Sequence, residues 1–200
     1  MFFLITIFLA SICLVSDSVL SVTNNIVIKA LVDSSTHGVA AVLSWLIVVL
    51  KCHNKSTMII NSVFELFLCG LMASAIDIDH FIMAKSFKLK NAMSLGKKRP
   101  IFHCTTLPIV ILLLLLSASW MWDSPKMWRF GWITWISFFS HHIRDGFRRG
   151  IWLWPLGSSP PVPYYVYILI TLALPYLVMV PLKGHNKISL QLSSTGYVTV

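Results

Sequence analysis

Apolar residues fall into six runs separated by polar punctuation: residues 1–22, 30–50, 58–84, 105–122, 128–142 and 162–182. Five of these reach or approach the length of about 20 residues that an α-helix needs to cross a hydrocarbon layer. The run 109–116 is uninterrupted and shows none of the strict alternation that a membrane β-barrel strand requires. The fifth run is short for a span, and the sixth contains Pro175, which predicts a kink. The first run lacks a Lys/Arg-rich start and a clear small-residue cleavage motif, so it reads as a retained span rather than a signal peptide. Trp120, Trp122, Trp128, Trp152 and Trp154 stand at run ends, where amphipathic rings suit the membrane interface better than they suit a ligand platform. The pattern predicts an all-α fold, a polytopic transmembrane helical bundle of about five or six spans. It forms one domain over 1–182, followed by a polar C-terminal tail over 183–200.

Composition agrees with that pattern. Charged residues make up 12% of the chain, about half of what a soluble domain carries, so most of the surface has to face lipid. The net charge of +9 raises nucleic acid as a partner, but no basic helix or aromatic-basic motif accompanies it; membrane lipid is the expected partner. Cys13, Cys52, Cys69 and Cys104 form no C-x-x-C pair and no disulfide framework. With six alternating crossings, one face receives Lys29, Lys85, Lys88, Lys90, Lys97, Lys98, Arg99, Arg144, Arg148 and Arg149. The opposite face receives Lys51, Lys55, Lys126, Arg129, Lys183 and Lys187, so the first face is expected to be cytoplasmic.

Acidic residues are scarce, seven in all, and Asp17, Asp33, Asp77, Asp79 and Asp145 lie in or at the ends of spans. An aspartate at mid-bilayer costs at least about 2.5 kcal/mol, so these are not spent on solubility. Alternating helix direction carries Asp33 and His37, then Asp77, Asp79 and His80, then His103, then His141, His142 and Asp145 to the same face. Asp33 and His37 are four apart, as are His141 and Asp145; Asp77 and His80 are three apart, as are His142 and Asp145, so each pair shares a helix face. Asp79 points away from that face in a regular helix. Imidazole nitrogens with carboxylate oxygens suit a divalent transition metal such as Zn²⁺ or Mn²⁺. Each group taken alone has a structural explanation: Asp33 as a helix cap, or Asp145 paired with Arg144 or Arg148. Asp17 and Cys104 are outer candidates, whereas His53 and His185 fall at the opposite face.

These residues compose D-x-x-x-H at Asp33–His37, D-I-D-H at Asp77–His80, R-P-x-x-H-C-[ST] at Arg99–Thr105 and S-H-H-x-x-D-G at Ser140–Gly146, followed by W-x-W-P-x-G at Trp152–Gly157. The series resembles the animal transmembrane protein 267 family over more than half of the chain. More distantly, the order of motifs is similar to a bacterial inner-membrane family described as predicted membrane-bound metal-dependent hydrolases. The middle motif departs from that pattern, since no His immediately precedes Arg99 and Cys104-Thr105 follow His103. The resulting expectation is a metal-dependent hydrolase of a lipid-like substrate. Its metal ligands would come from His37, Asp77, His80, His103, His141 or His142, and Asp145. Asp79 or Asp33 would act as general base or orient a ligand histidine, and Arg99, Arg144 and Arg148 would grip a phosphate or carboxylate. A proton or metal-ion transporter and a non-catalytic membrane scaffold are the alternatives.

Overall fold

The computed structural model describes residues 1–52, 59–96 and 98–194; His53, Lys55 and Lys97 lie outside the described residues. Every apolar run becomes a helix: α1 (Phe2–Val22), α2 (Ile26–Cys52), α3 (Ile59–Ala75) continued by α4 (Ile78–Ala84), α6 (Thr106–Met121), α7 (Pro125–Arg149) and α8 (Tyr164–Ser194). A short helix α5 (Leu89–Met93) and a 3-10 turn (Ile101–His103) link α4 to α6, and a two-stranded hairpin, β1 (Trp152–Leu153) and β2 (Gly157–Ser158), follows α7. Helix α8 continues past Leu182 as far as Ser194.

Among the described residues, four helical stretches are long and apolar enough to cross a membrane: Phe2–Val22, Ile26–Cys52, Ser62–Ala84 and Tyr164–His185. Helix α6 is equally apolar but has only 16 residues. Helix α7 is the least apolar of the long helices, yet its 25 residues give a length of about 37 Å. It starts at Ser124, whose side chain accepts from the Met127 amide, with Pro125 in the first turn where its missing N–H is harmless. At one end of the bundle Arg129 of α7 meets Glu65 of α3; at the other, Arg144 of α7 meets Asp33 of α2. The helix therefore runs the length of the bundle, with its polar residues turned inward, and extends seven residues beyond the end expected from apolarity.

Other contacts set the direction of the remaining helices. Tyr167 of α8 donates to Asp17 near the end of α1, while Tyr176 lies beside Thr6 near its start. Helix α2 is central and packs against α1, α3, α7 and α8. One apolar layer joins Ala41, Trp45 and Val48 of α2 with Cys69, Ala73, Ile133, Ile136 and Val178. A second joins Leu9 and Cys13 of α1 to Ala40, Ile143 and Tyr167. Leu4, Phe64, Phe67, Leu71, Leu113, Leu114, Leu169 and Val180 face outward, as a lipid-contacting surface requires.

The crossing of α2 and α3 sets the spacing of the polar end. A Cβ on Gly38 would lie 2.5 Å from Ser74 Oγ, and one on Gly70 would lie 2.6 Å from Val42 Cγ2. The backbones thus touch at these two glycines, the close approach that small residues permit between membrane helices. Ser74 Oγ then donates to Ser34 O at 2.9 Å, and this crossing brings His37 alongside the end of α3. Gly70→Val is expected to destabilise the bundle by about 1–3 kcal/mol through overpacking at this contact. Thermal unfolding in detergent checks it; an unchanged midpoint would show that the crossing is not tight.

Candidate metal centre

The α3–α4 junction is where the chain makes the cluster possible. The helix breaks after Ala75, and turn hydrogen bonds run from Asp79 N to Ile76 O (3.3 Å) and from His80 N to Asp77 O (3.2 Å). A regular helix would point Asp79 away from Asp77; the break lets both carboxylates approach His103. Asp79 is 3% exposed, and its Oδ2 accepts from the Phe102 amide at 2.7 Å, which fastens the 3-10 turn to α4.

Four ligating side chains converge around one point. His103 Nε2 lies 3.2 Å from His141 Nε2, 3.3 Å from Asp145 Oδ2 and 3.5 Å from Asp77 Oδ1. His141 Nε2 lies 3.6 Å from both Asp77 Oδ1 and Asp145 Oδ2. Donor atoms held about 2.0–2.1 Å from a tetrahedral zinc are about 3.3 Å apart, so these separations have the scale of a ligand shell. Four overlapping groups could hold a metal ion: His37, Asp77 and His141; Asp77, His80 and His103; His103, His141 and Asp145; and Asp33, His37 and Asp145.

The outward nitrogens of the two central histidines are already committed. His103 Nδ1 lies 3.3 Å from Asp79 Oδ2, and His141 Nδ1 lies 2.9 Å from Ala73 O. A proton on each Nδ1 leaves a lone pair on each Nε2, directed into the cluster, which is the arrangement that prepares imidazole for a metal. Burial alone would push His103 towards neutrality, but hydrogen bonds to Asp145, Asp77 and Asp79 raise its pKa to about 11. The Asp77 and Asp145 carboxylates therefore favour a cation at Nε2, where a proton and a metal ion would compete for the same lone pair. His37 stacks on His141 with ring centroids 3.7 Å apart, and its buried Nδ1 has no hydrogen-bond partner. His80 Nδ1 lies 3.2 Å from Asp79 Oδ1, and the ring forms part of a cavity wall.

His142, the alternative to His141, is used elsewhere. Its Nε2 donates to Phe102 O at 2.7 Å, and its Nδ1 lies 3.1 Å from Thr105 Oγ1, so both nitrogens hold the 3-10 turn against α7. Arg144 is 1% exposed and bonds Asp17 (2.7 Å) and Asp33, pinning α1, α2 and α7 together. Arg148 makes two 2.9 Å bonds to the Asp33 carboxylate. Asp33 thus faces guanidinium groups on both oxygens, and Asp17 pairs with Arg144 and accepts from Tyr167 at 3.2 Å. Arg99 donates to the Gly150 carbonyl (2.9 Å) and to the Arg149 carbonyl, capping the end of α7. Cys104 is buried and bridges to Trp152; His185 stacks on Trp128 at the opposite end.

Two cavities reach the cluster. The larger, about 280 Å³, is lined by Asp33, Asp77, His80, Asp145, Arg148 and Arg149 together with apolar Ile78, Phe81, Leu89 and Met93. The smaller, about 20 Å³, lies between Arg99, His103, His142 and Arg149 and is large enough for one water. Arg149 borders both, is an exposed residue and makes no ion pair among the described residues. Sequence reasoning counted Arg149 only among the basic loop residues. Its adjacency to Arg148 held no signal to separate a paired from an unpaired guanidinium.

Fold and site together define a polytopic helical membrane protein with an inward-facing His/Asp cluster at one end of its bundle. The chain belongs to the transmembrane protein 267 family. It is 39% identical over 170 residues to Transmembrane protein 267 of Mus musculus and 38% identical over 169 residues to that of Bos taurus, covering 82% of this chain and 75% of each relative. The Xenopus laevis protein of the same name is 40% identical over 167 residues, 82% of this chain and 74% of that relative. No family model matches the chain, and no solved structure matches it.

Arg144→Leu is expected to destabilise the protein by on the order of 3 kcal/mol, because it strips a buried guanidinium from two carboxylates. Adding Asp17→Asn and Asp33→Asn should recover most of that loss. Thermal melts of the single and triple variants check this; equal melting of the two would show that the network is not a buried charge balance.

Proposed function

We propose that the protein is a metal-dependent hydrolase acting on a lipid-like substrate at the cytoplasmic face of the membrane. The observation that carries this reading is the pair of Nε2 atoms from His103 and His141, 3.2 Å apart between the Asp77 and Asp145 carboxylates, with each ring's Nδ1 already engaged. Those four side chains would hold the ion, and the charge fits, since two carboxylates balance one divalent cation inside a low-dielectric bundle. When bound, such an ion lowers the pKa of a water towards neutrality and polarises an ester oxygen.

The chain's own groups divide the remaining work. Asp79 and the Ala73 carbonyl fix the tautomers of His103 and His141. His80, on the cavity wall with Asp79 Oδ1 behind its Nδ1, is the proton acceptor, and Asp79 balances the charge that develops on the ring. Asp33, held by Arg144 and Arg148, is a poorer candidate for that role than the sequence alone suggested. Hydrolysis is favoured over ion transport because a largely apolar layer around Ala41, Trp45, Ile133 and Ile136 separates the cluster from the Glu65–Arg129 pair at the other end. The cytoplasmic assignment rests on Lys85, Lys88, Lys90, Lys98 and Arg149, which lie on the cluster's side of the bundle.

Metal analysis of detergent-purified protein supplied with Zn²⁺ and Mn²⁺ tests the centre. Wild type is expected to retain a near-stoichiometric transition metal. His103→Ala and His141→Ala should each weaken binding by at least about tenfold, while His142→Ala retains the metal. A wild-type protein that binds none would sink the hydrolase reading. For sidedness, a cysteine replacing Lys98 should react with an impermeant maleimide only when the reagent reaches the cytosol; labelling of intact cells from outside would reverse the orientation.

A further inference from the structure

The larger cavity has a composition that specifies more than a generic lipid. Resting on the hydrolase reading above, we infer that its substrate is an amphiphile bearing a phosphate group, held by Arg149 beside the His/Asp cluster, with the first methylenes of its chain against Ile78, Phe81, Leu89 and Met93.

Three observations support this. First, Arg149 is the cation left available at the cavity. Arg148 is spent on Asp33, Arg144 is buried on Asp17 and Asp33, and Arg99 caps α7, whereas Arg149 is exposed and makes no ion pair among the described residues. A free guanidinium offers the planar fork that engages phosphate oxygens in pairs. Second, part of the lining is apolar, and some of those residues are exposed on the outside of the bundle. Ile78 is 55% exposed and Met93 40% exposed, next to the outward-facing Ile82. The apolar lining from α4 and α5 therefore includes outward-exposed side chains, which suit an acyl chain leading into the bilayer. Third, the volume of about 280 Å³ falls at or just below the range for a whole drug-sized ligand, so it accommodates a headgroup and the start of a chain but not an entire two-chain lipid. A carboxylate would engage Arg149 too, but three terminal oxygens let a phosphate reach Arg149 and the cluster together.

Binding of three probes to metal-supplied protein in detergent tests the inference: a 1-acylglycerol 3-phosphate, the matching monoacylglycerol and glycerol 3-phosphate. Wild type should bind the acylated phosphate at least about tenfold more tightly than either of the others, since a charge-assisted bond to phosphate and the apolar wall each contribute about that factor. Arg149→Gln should lose most of the preference for phosphate over the neutral monoacylglycerol, with metal content unchanged. Met93→Trp, which fills the apolar wall, should weaken the acylated phosphate without weakening glycerol 3-phosphate. Equal binding of the neutral lipid, or an Arg149→Gln protein with undiminished preference, would overturn the phosphate assignment. Glycerol 3-phosphate binding as tightly as the acylated form would overturn the amphiphile assignment in favour of a soluble phosphate ester. Metal content measured on the same samples separates the two readings. Metal bound without discrimination among probes removes only the substrate class, and no metal in wild type removes the hydrolase reading and this inference with it.

Discussion

An ionised group inside a membrane-embedded bundle has to be balanced where it stands, because neither water nor mobile ions reach it to do so. The polar end of this bundle follows from that constraint. Arg144 on α7 enters a space with Asp17 from α1 and Asp33 from α2, and Arg148 closes the set from one turn further along. Two guanidinium groups and two carboxylates cancel, and in doing so they tie three helices whose remaining contacts are mostly non-directional apolar packing. Asp77 has no arginine in that set and Asp145 has only a long contact to Arg148 at 3.7 Å, and the nearest basic neighbours of both are imidazoles. The bundle is thus divided into a neutral structural network and an adjoining cluster whose carboxylates attract a cation.

Tightness at the crossing of α2 and α3 transmits this division to the cluster. Gly38 and Gly70 let the two backbones touch, so His37 stacks on His141 instead of standing a side chain's width away. The break after Ala75 then changes direction just where α3 would have carried Asp79 out of reach. Asp79 consequently serves two neighbours at once, the Phe102 amide and the His103 ring. His142 holds the same turn from the other side. The 3-10 turn bearing His103 is therefore fastened at both flanks, giving a histidine on a loop the positional support usually provided by a helix.

The position of the cluster at one end of the bundle, rather than at its centre, shapes what it can do. A ligand arriving from the aqueous side meets Arg149 and the small cavity beside His142; one arriving laterally meets Ile78 and Met93. The two cavities share the Asp145 carboxylate. On the proposed reading, that combination suits chemistry on amphiphiles better than passage of an ion across the layer of Trp45, Ile133 and Ile136.

Much of this was legible in the chain itself. Six apolar runs forecast six helical segments, and among the described residues four of them are long and apolar enough to cross a hydrocarbon layer. The convergence of Asp33, His37, Asp77, His80, His103, His141 and Asp145 followed from alternating helix directions. What the sequence left open depends on rotation about helix axes and on local breaks. His141 and His142 are adjacent and chemically identical; only their azimuth on α7 sends one into the cluster and the other to the Phe102 carbonyl. The roles of Arg99, Arg144, Arg148 and Arg149 likewise differ only in which partner each guanidinium reaches, a matter of distances between helices remote in sequence. Asp79 needed the α3–α4 break, and the full length of α7 needed its polar residues to be turned inward. Periodicity reports which elements form; the tertiary structure decides which side chains face one another, because that is determined by the crossings between helices.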